Sequence, residues 1–205
     1  MHSLISANLL SKMDRKLWIT ADFYIGLAVA LLILPLPWLG AWLLASAFHE
    51  FCHYAVLRLC GGTVVQLRVS AKGALMETTP LSRGKEAMCA YAGPIGGALL
   101  FLFARQIPRT AVCTLLLSAF NLLPVFPLDG GRGLGCLLSV LFSERTAKNV
   151  QNGIELCVVA LLCLIGLYSV LILGLGVLPA ISVAVLLMKC KGIKITCKKR
   201  PVQLQ

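Results

Sequence analysis

Acidic residues are scarce in this chain. Eight Asp and Glu occur in 205 residues, against nineteen Lys and Arg, and histidine is scarcer still, at three. Charged residues make up 13% of the sequence, about half the share of a soluble globular domain. That shortage excludes an ordinary domain with a solvated surface all round. No Cys-x-x-Cys pair occurs among the nine cysteines. The odd number and the apolar surroundings exclude a disulfide framework, so the cysteines read as small buried hydrophobes. No cleavage pattern of small residues follows the apolar stretch from Leu17 to Pro35, which excludes a removable signal peptide and leaves a retained span.

What is abundant is apolar residue, 59% of the chain, with a mean hydropathy of +0.88. The excess is spread along the length, as in a polytopic membrane protein. A crossing needs about 20 mainly apolar residues. Six candidates follow, over roughly 17–36, 37–60, 84–104, 108–126, 151–172 and 174–190. A shorter apolar stretch over 131–143 reads as an interfacial or partly inserted helix.

The net charge of +11 belongs to the flanks of these spans, so no nucleic-acid partner is expected and the lipid bilayer is the expected environment. With the N-terminus in the cytoplasm, seventeen of the nineteen basic residues fall inside and only Arg105 and Arg109 outside. The positive-inside rule then gives cytoplasmic N- and C-termini. Residues 1–16 form an N-terminal cytoplasmic segment, 17–190 the transmembrane core, and 191–205 a basic tail. Between the second and third spans, Val65, Leu67 and Val69 alternate with Gln66 and Arg68, and Ala71-Lys72-Gly73 signals a turn. A β-hairpin over about 63–79 follows. The expected fold is therefore an all-α membrane protein of about six helices with a small membrane-proximal hairpin.

Ionisable groups inside a bilayer are expensive and mark function by default. Two of the three histidines, His49 and His53, lie four residues apart in the second span, on one helix face a turn apart. Both imidazoles can meet one metal ion, and Glu50, one step round, can reach a metal-bound water. This is the His-Glu-x-x-His arrangement of two ligands and a general base. A catalytic zinc usually has three protein ligands and one open position. Of the acids, Asp14, Asp22, Glu77, Glu86, Glu144 and Glu155 lie at loops or span ends. Asp129 follows a helix broken by Pro124 and Pro127, where freed backbone is tolerated only if it is buried or faces water. Asp129 is the candidate third ligand; the competing reading is a cap for the helix after Gly131. Cys52 is a rival as a thiolate ligand, or a small packing residue. Asn121 either bonds a substrate carbonyl or caps the broken turn. The glycines around Pro94 allow close packing against the histidine-bearing span.

"AFHEFCHY" at 47–54, "AGPIGG" at 92–97 and "NLLPVFPLDGGR" at 121–132 together resemble the site-2 proteases, zinc metalloproteases that cut within membranes. The last motif is similar to the family's Asn-Pro-Asp-Gly signature. The similarity runs from about residue 17 to 190 and is nearest to the six-span bacterial type, like the sporulation protease that processes a sigma-factor precursor. It implies His49, His53 and Asp129 as zinc ligands, one ion per chain, with Glu50 as base and Asn121 positioning substrate. It also implies a bacterial cell membrane, a site toward the cytoplasmic side, a membrane-protein substrate, and a hairpin edge to which an extended substrate adds. Two departures stand out: Cys52 occupies a position where members often carry Gly, and neither a CBS nor a PDZ domain is present. The implied activity is hydrolysis of a peptide bond in or near a transmembrane segment, with membrane-tethered transcription factor precursors and anti-sigma factors as the implied substrate class. An inactive zinc-binding scaffold and a metal transporter are the alternatives. Intact Glu50 argues against the first, and the lack of ligands spread over several spans argues against the second.

Overall fold

The computed structural model describes residues 17–70 and 73–171. It divides into two units, 1–119 and 120–205. The expected sixth span over 174–190, the N-terminal segment and the basic tail lie outside the described residues.

The first described element is a strand, not a helix. β1 (Leu17–Ile19) runs parallel to β2 (Val64–Ser70), with Leu17 opposite Leu67 and Ile19 opposite Val69. Its Leu-Trp-Ile sequence suits a pleated, half-buried position as well as a helix. The strand stops at Thr20, whose backbone N–H and Oγ1 both donate to the carbonyl of Val69 at 3.0 Å. Helix α1 (Ala21–Ile33) follows, and none of its residues is buried. A helix that is apolar all round and unburied is suited to lipid, not to water.

Pro35 separates α1 from α2 (Leu36–Leu59). A residue before proline is pushed out of the helical region, and Leu34 is extended. Pro37 then sits in the first turn of α2, where a missing N–H costs nothing. The other end closes on Gly61, with φ +83°. Its N–H donates to Arg58 at 3.0 Å and that of Gly62 to Leu57 at 2.9 Å, a glycine-capped helix end. β2 and β3 (Gly73–Thr78) form the expected hairpin, antiparallel, with an irregularity between Val64 and Gln66. The sheet is thus three-stranded, in the order β1-β2-β3.

Helix α3 (Arg83–Leu100) packs along α2, with Pro94 inside it, and runs on through a 3₁₀ turn at Phe101–Phe103. Helix α4 (Pro108–Asn121) carries small and hydroxylated residues on its buried face: Thr110, Ala111, Cys113, Thr114 and Ser118. A core of Ala41, Ala45 and Cys113 joins α2 to α4. Gly97 of α3 lies so close to Ser118 that a Cβ there would collide with Oγ.

The second unit takes the last two residues of α4, Phe120 and Asn121, the broken segment 122–128, α5 (Asp129–Leu141) and α6 (Glu144–Leu171). The expected span over 108–126 ends early, at Asn121. Pro124 removes an N–H and crowds the carbonyl four residues back, so the helix cannot continue through it. α5 starts two residues before the expected 131. Val125 and Leu128 of the broken segment are buried and pack with Val158 and Val159 of α6.

Two of the described helices are long and apolar enough to cross a membrane, Arg83–Phe103 and Glu144–Leu171, and α1 is a shorter apolar helix. Of the six expected spans, two are matched among the described residues by helices of sufficient length and hydropathy. The small sheet exceeds the expected hairpin by one strand.

Candidate metal centre

In the first unit, the four-residue spacing of His49 and His53 on α2 does what helical geometry requires. The two rings stack edge to face with centroids 4.8 Å apart and an interplanar angle of 80°. Their Nε2 atoms lie 3.1 Å apart. His49 is buried, and His53 half-buried.

His53 Nδ1 lies 2.7 Å from the carbonyl oxygen of Cys89 on α3. A carbonyl only accepts, so Nδ1 carries the proton and donates, and in the neutral ring Nε2 keeps its lone pair, toward His49. A ligating histidine is commonly held this way through its other nitrogen. Two nitrogen–zinc bonds of about 2.0–2.1 Å meeting at a tetrahedral angle place their nitrogens about 3.3 Å apart. The observed separation fits one ion shared by both rings.

Opposite the two rings is Gly93 of α3, which is buried. A Cβ at this position would collide with His53 Nε2 and with Cε1 and Nε2 of His49. The close packing read from "AGPIGG" therefore has a specific place: the absent side chain of Gly93 leaves room beside both Nε2 atoms. Cys52 faces a different glycine. A Cβ on Gly96 would collide with its Sγ, so the thiol packs one turn along α3 from the imidazoles. Glu50 follows His49 on the helix and is half-buried.

In the second unit, Asp129 is the first residue of α5, and its side chain is 13% exposed. A carboxylate is favoured at a helix N-terminus by the helix dipole. The N-cap position belongs to Leu128, so the reading of Asp129 as the cap of a helix after Gly131 is corrected. Arg132 Nη1 lies 3.8 Å from Asp129 Oδ1, but its side chain is 54% exposed, and such pairs contribute little. Gly130 and Gly131 are both buried. A Cβ on Gly130 would strike the carbonyls of Leu122 and Leu123, and one on Gly131 the Val125–Phe126 backbone. The two glycines let the first turn of α5 lie on the broken segment that precedes it. The Phe126–Pro127 peptide is cis. Asn121 is the last residue of α4 and is half-buried.

No protein-family model matches this chain, and neither does any of the curated proteins. Among solved structures, the chain is similar to the site-2 protease from Methanocaldococcus jannaschii. The TM-score is 0.60 at 20% identity, over 92% of this chain and 94% of that one. The chain has the fold of a site-2 protease.

Three residues that matter locally were not singled out from the sequence. Cys89 acts through its backbone carbonyl, which no sequence pattern announces. Gln151 carries no signal of its own. Glu155, read as a span-end acid, lies well inside α6 and accepts from the Phe126 N–H at 3.1 Å. The signal for Glu155 was its charge within an apolar helix; the start of α6 at Glu144 was missed, and with it the acid's depth.

Proposed function

We propose that this chain is a zinc-dependent endopeptidase embedded in the bacterial cell membrane, with both termini cytoplasmic, that cuts a membrane protein in or near a transmembrane segment. The pair of Nε2 atoms 3.1 Å apart beside Gly93 carries this reading. His49, His53 and Asp129 hold one metal ion. Two imidazoles and a carboxylate form a catalytic zinc donor set with a fourth position for water. The membrane setting is supported by the unburied apolar helix α1 and by side chains such as Leu32, 88% exposed. Apolar surface of this extent is rare on a soluble monomer.

A zinc ion held there would supply a water acidified toward neutral pH and would polarise the scissile carbonyl. Glu50 is the base that would accept a proton from the attacking water and return it to the leaving nitrogen as the C–N bond breaks. Asn121 bonds the substrate backbone. Because a helical peptide bond is hidden in its own hydrogen-bond ladder, the substrate unwinds first. The unwound stretch adds to β3, the hairpin strand whose outer edge no described strand covers. Membrane-tethered transcription factor precursors and anti-sigma factors fit this substrate class.

Metal analysis tests the ligand set. Purified wild type is expected to hold one zinc per chain, and His49→Ala and Asp129→Ala to lose it together with cleavage of a co-expressed membrane substrate. Full zinc in Asp129→Ala would remove Asp129 from the ligand set.

A further inference from the structure

We propose that Gln151 and Glu155 of α6 are positioning residues that fix the segment carrying Asp129, and so set the metal affinity of the centre. The proposal rests on the assignment of Asp129 as a ligand.

Breaking a helix at Asn121 and restarting it at Asp129 frees backbone groups that an apolar setting must satisfy. Pro124 and Pro127 have no N–H to place. Leu123 donates to Phe120 in the last turn of α4, and Val125 donates to Leu123 and Leu128 to Val125 within the segment. The N–H of Phe126 goes elsewhere: it donates to Glu155 Oε1 at 3.1 Å. The same oxygen accepts from Gln151 Nε2 at 3.1 Å, and Nε2 also donates to the carbonyl of Gly131 at 3.0 Å. Gln151 and Glu155 are one turn apart on one face of α6. One hydrogen-bonded chain therefore runs from Phe126 through both side chains to Gly131, and Asp129 lies between its two ends.

The surroundings are built for this contact. A Cβ at Gly135 would come within 2.6 Å of Gln151 Oε1, so glycine there makes room for the amide. Val125, fully buried, and Leu128 pack on the same helix. A carboxylate inside an apolar helix is costly, and the two donors that meet Glu155 Oε1 offset that cost. Partners that orient a metal ligand without touching the metal typically change affinity about ten- to a hundred-fold when removed.

The test uses the full chain in detergent, with zinc affinity measured by chelator competition, the absorption spectrum of the cobalt-substituted protein, and the unfolding temperature of the metal-free protein. Glu155→Leu removes the acceptor and is expected to weaken zinc about ten- to a hundred-fold and to alter the cobalt spectrum. Glu155→Gln keeps an oxygen at this position and is expected to stay within about three-fold of wild type. If Glu155→Leu does not fold, Gln151→Leu, which loses the contacts to Gly131 and Glu155 and keeps the bond from the Phe126 N–H to Glu155, carries the test with the same expected direction. If the clamp merely stabilises the fold, its loss would lower the metal-free unfolding temperature and leave affinity and spectrum unchanged; that result overturns the proposal. Asp129→Ala separates the two levels. Wild-type affinity in the clamp variants with loss in Asp129→Ala sinks this inference alone, whereas wild-type affinity in Asp129→Ala sinks the ligand assignment beneath it.

Discussion

His53 Nδ1 donates to the carbonyl oxygen of Cys89 across 2.7 Å. The bond joins α2 to α3 at the level of the histidine pair and turns the bare Nε2 of His53 toward His49. It also brings α3 close enough that only glycine fits at position 93.

Gly93→Ala is therefore expected to damage the centre without unfolding the protein. The added methyl collides with both imidazoles, and zinc affinity should fall about ten-fold or more, as when a ligand's orientation is lost. Gly84→Ala is the control, because a Cβ there meets nothing within 4 Å. Equal zinc affinity in the two variants would refute the role given to Gly93.

Gly130→Ala should act on stability. The obstacle is backbone, the carbonyls of Leu122 and Leu123, which cannot swing aside like a side chain. A loss of about 1–3 kcal/mol is expected, as for overpacking elsewhere, measured by thermal unfolding of the metal-free protein. An unchanged unfolding temperature would mean that the first turn of α5 does not lie on the broken segment.

The hydroxyls of Thr114 and Ser118 are buried with no hydrogen-bond partner among the described residues. A buried polar group left unbonded costs free energy. Ser118→Ala and Thr114→Val should therefore be neutral or stabilising by up to about 1 kcal/mol. Destabilisation by more than that in thermal unfolding would show that these hydroxyls are bonded in the membrane-embedded protein.

The features legible in the sequence were those with a short-range signature. Four-residue spacing put His49 and His53 on one face, alternation marked the hairpin, and two prolines marked the broken helix. β1 was not legible. Leu17–Ile19 sits at the head of an apolar run, and such a run reads alike as strand or helix. Its partner in β2 is also far along the chain. α4 ends a few residues before the expected 126 because Pro124 acts backward on the turn before it. The contacts of Cys89, Gln151 and Glu155 depend on which helices pack together, and periodicity within one helix does not contain that information.

The most direct measurement compares wild type with Glu50→Gln, each co-expressed with a membrane-protein substrate, reading cleavage and zinc content on the same samples. Glu50 is assigned to proton transfer and not to metal binding. The variant should keep one zinc per chain while cleavage falls by about 10²-fold or more. Cleavage at the wild-type rate by zinc-loaded Glu50→Gln would contradict the account.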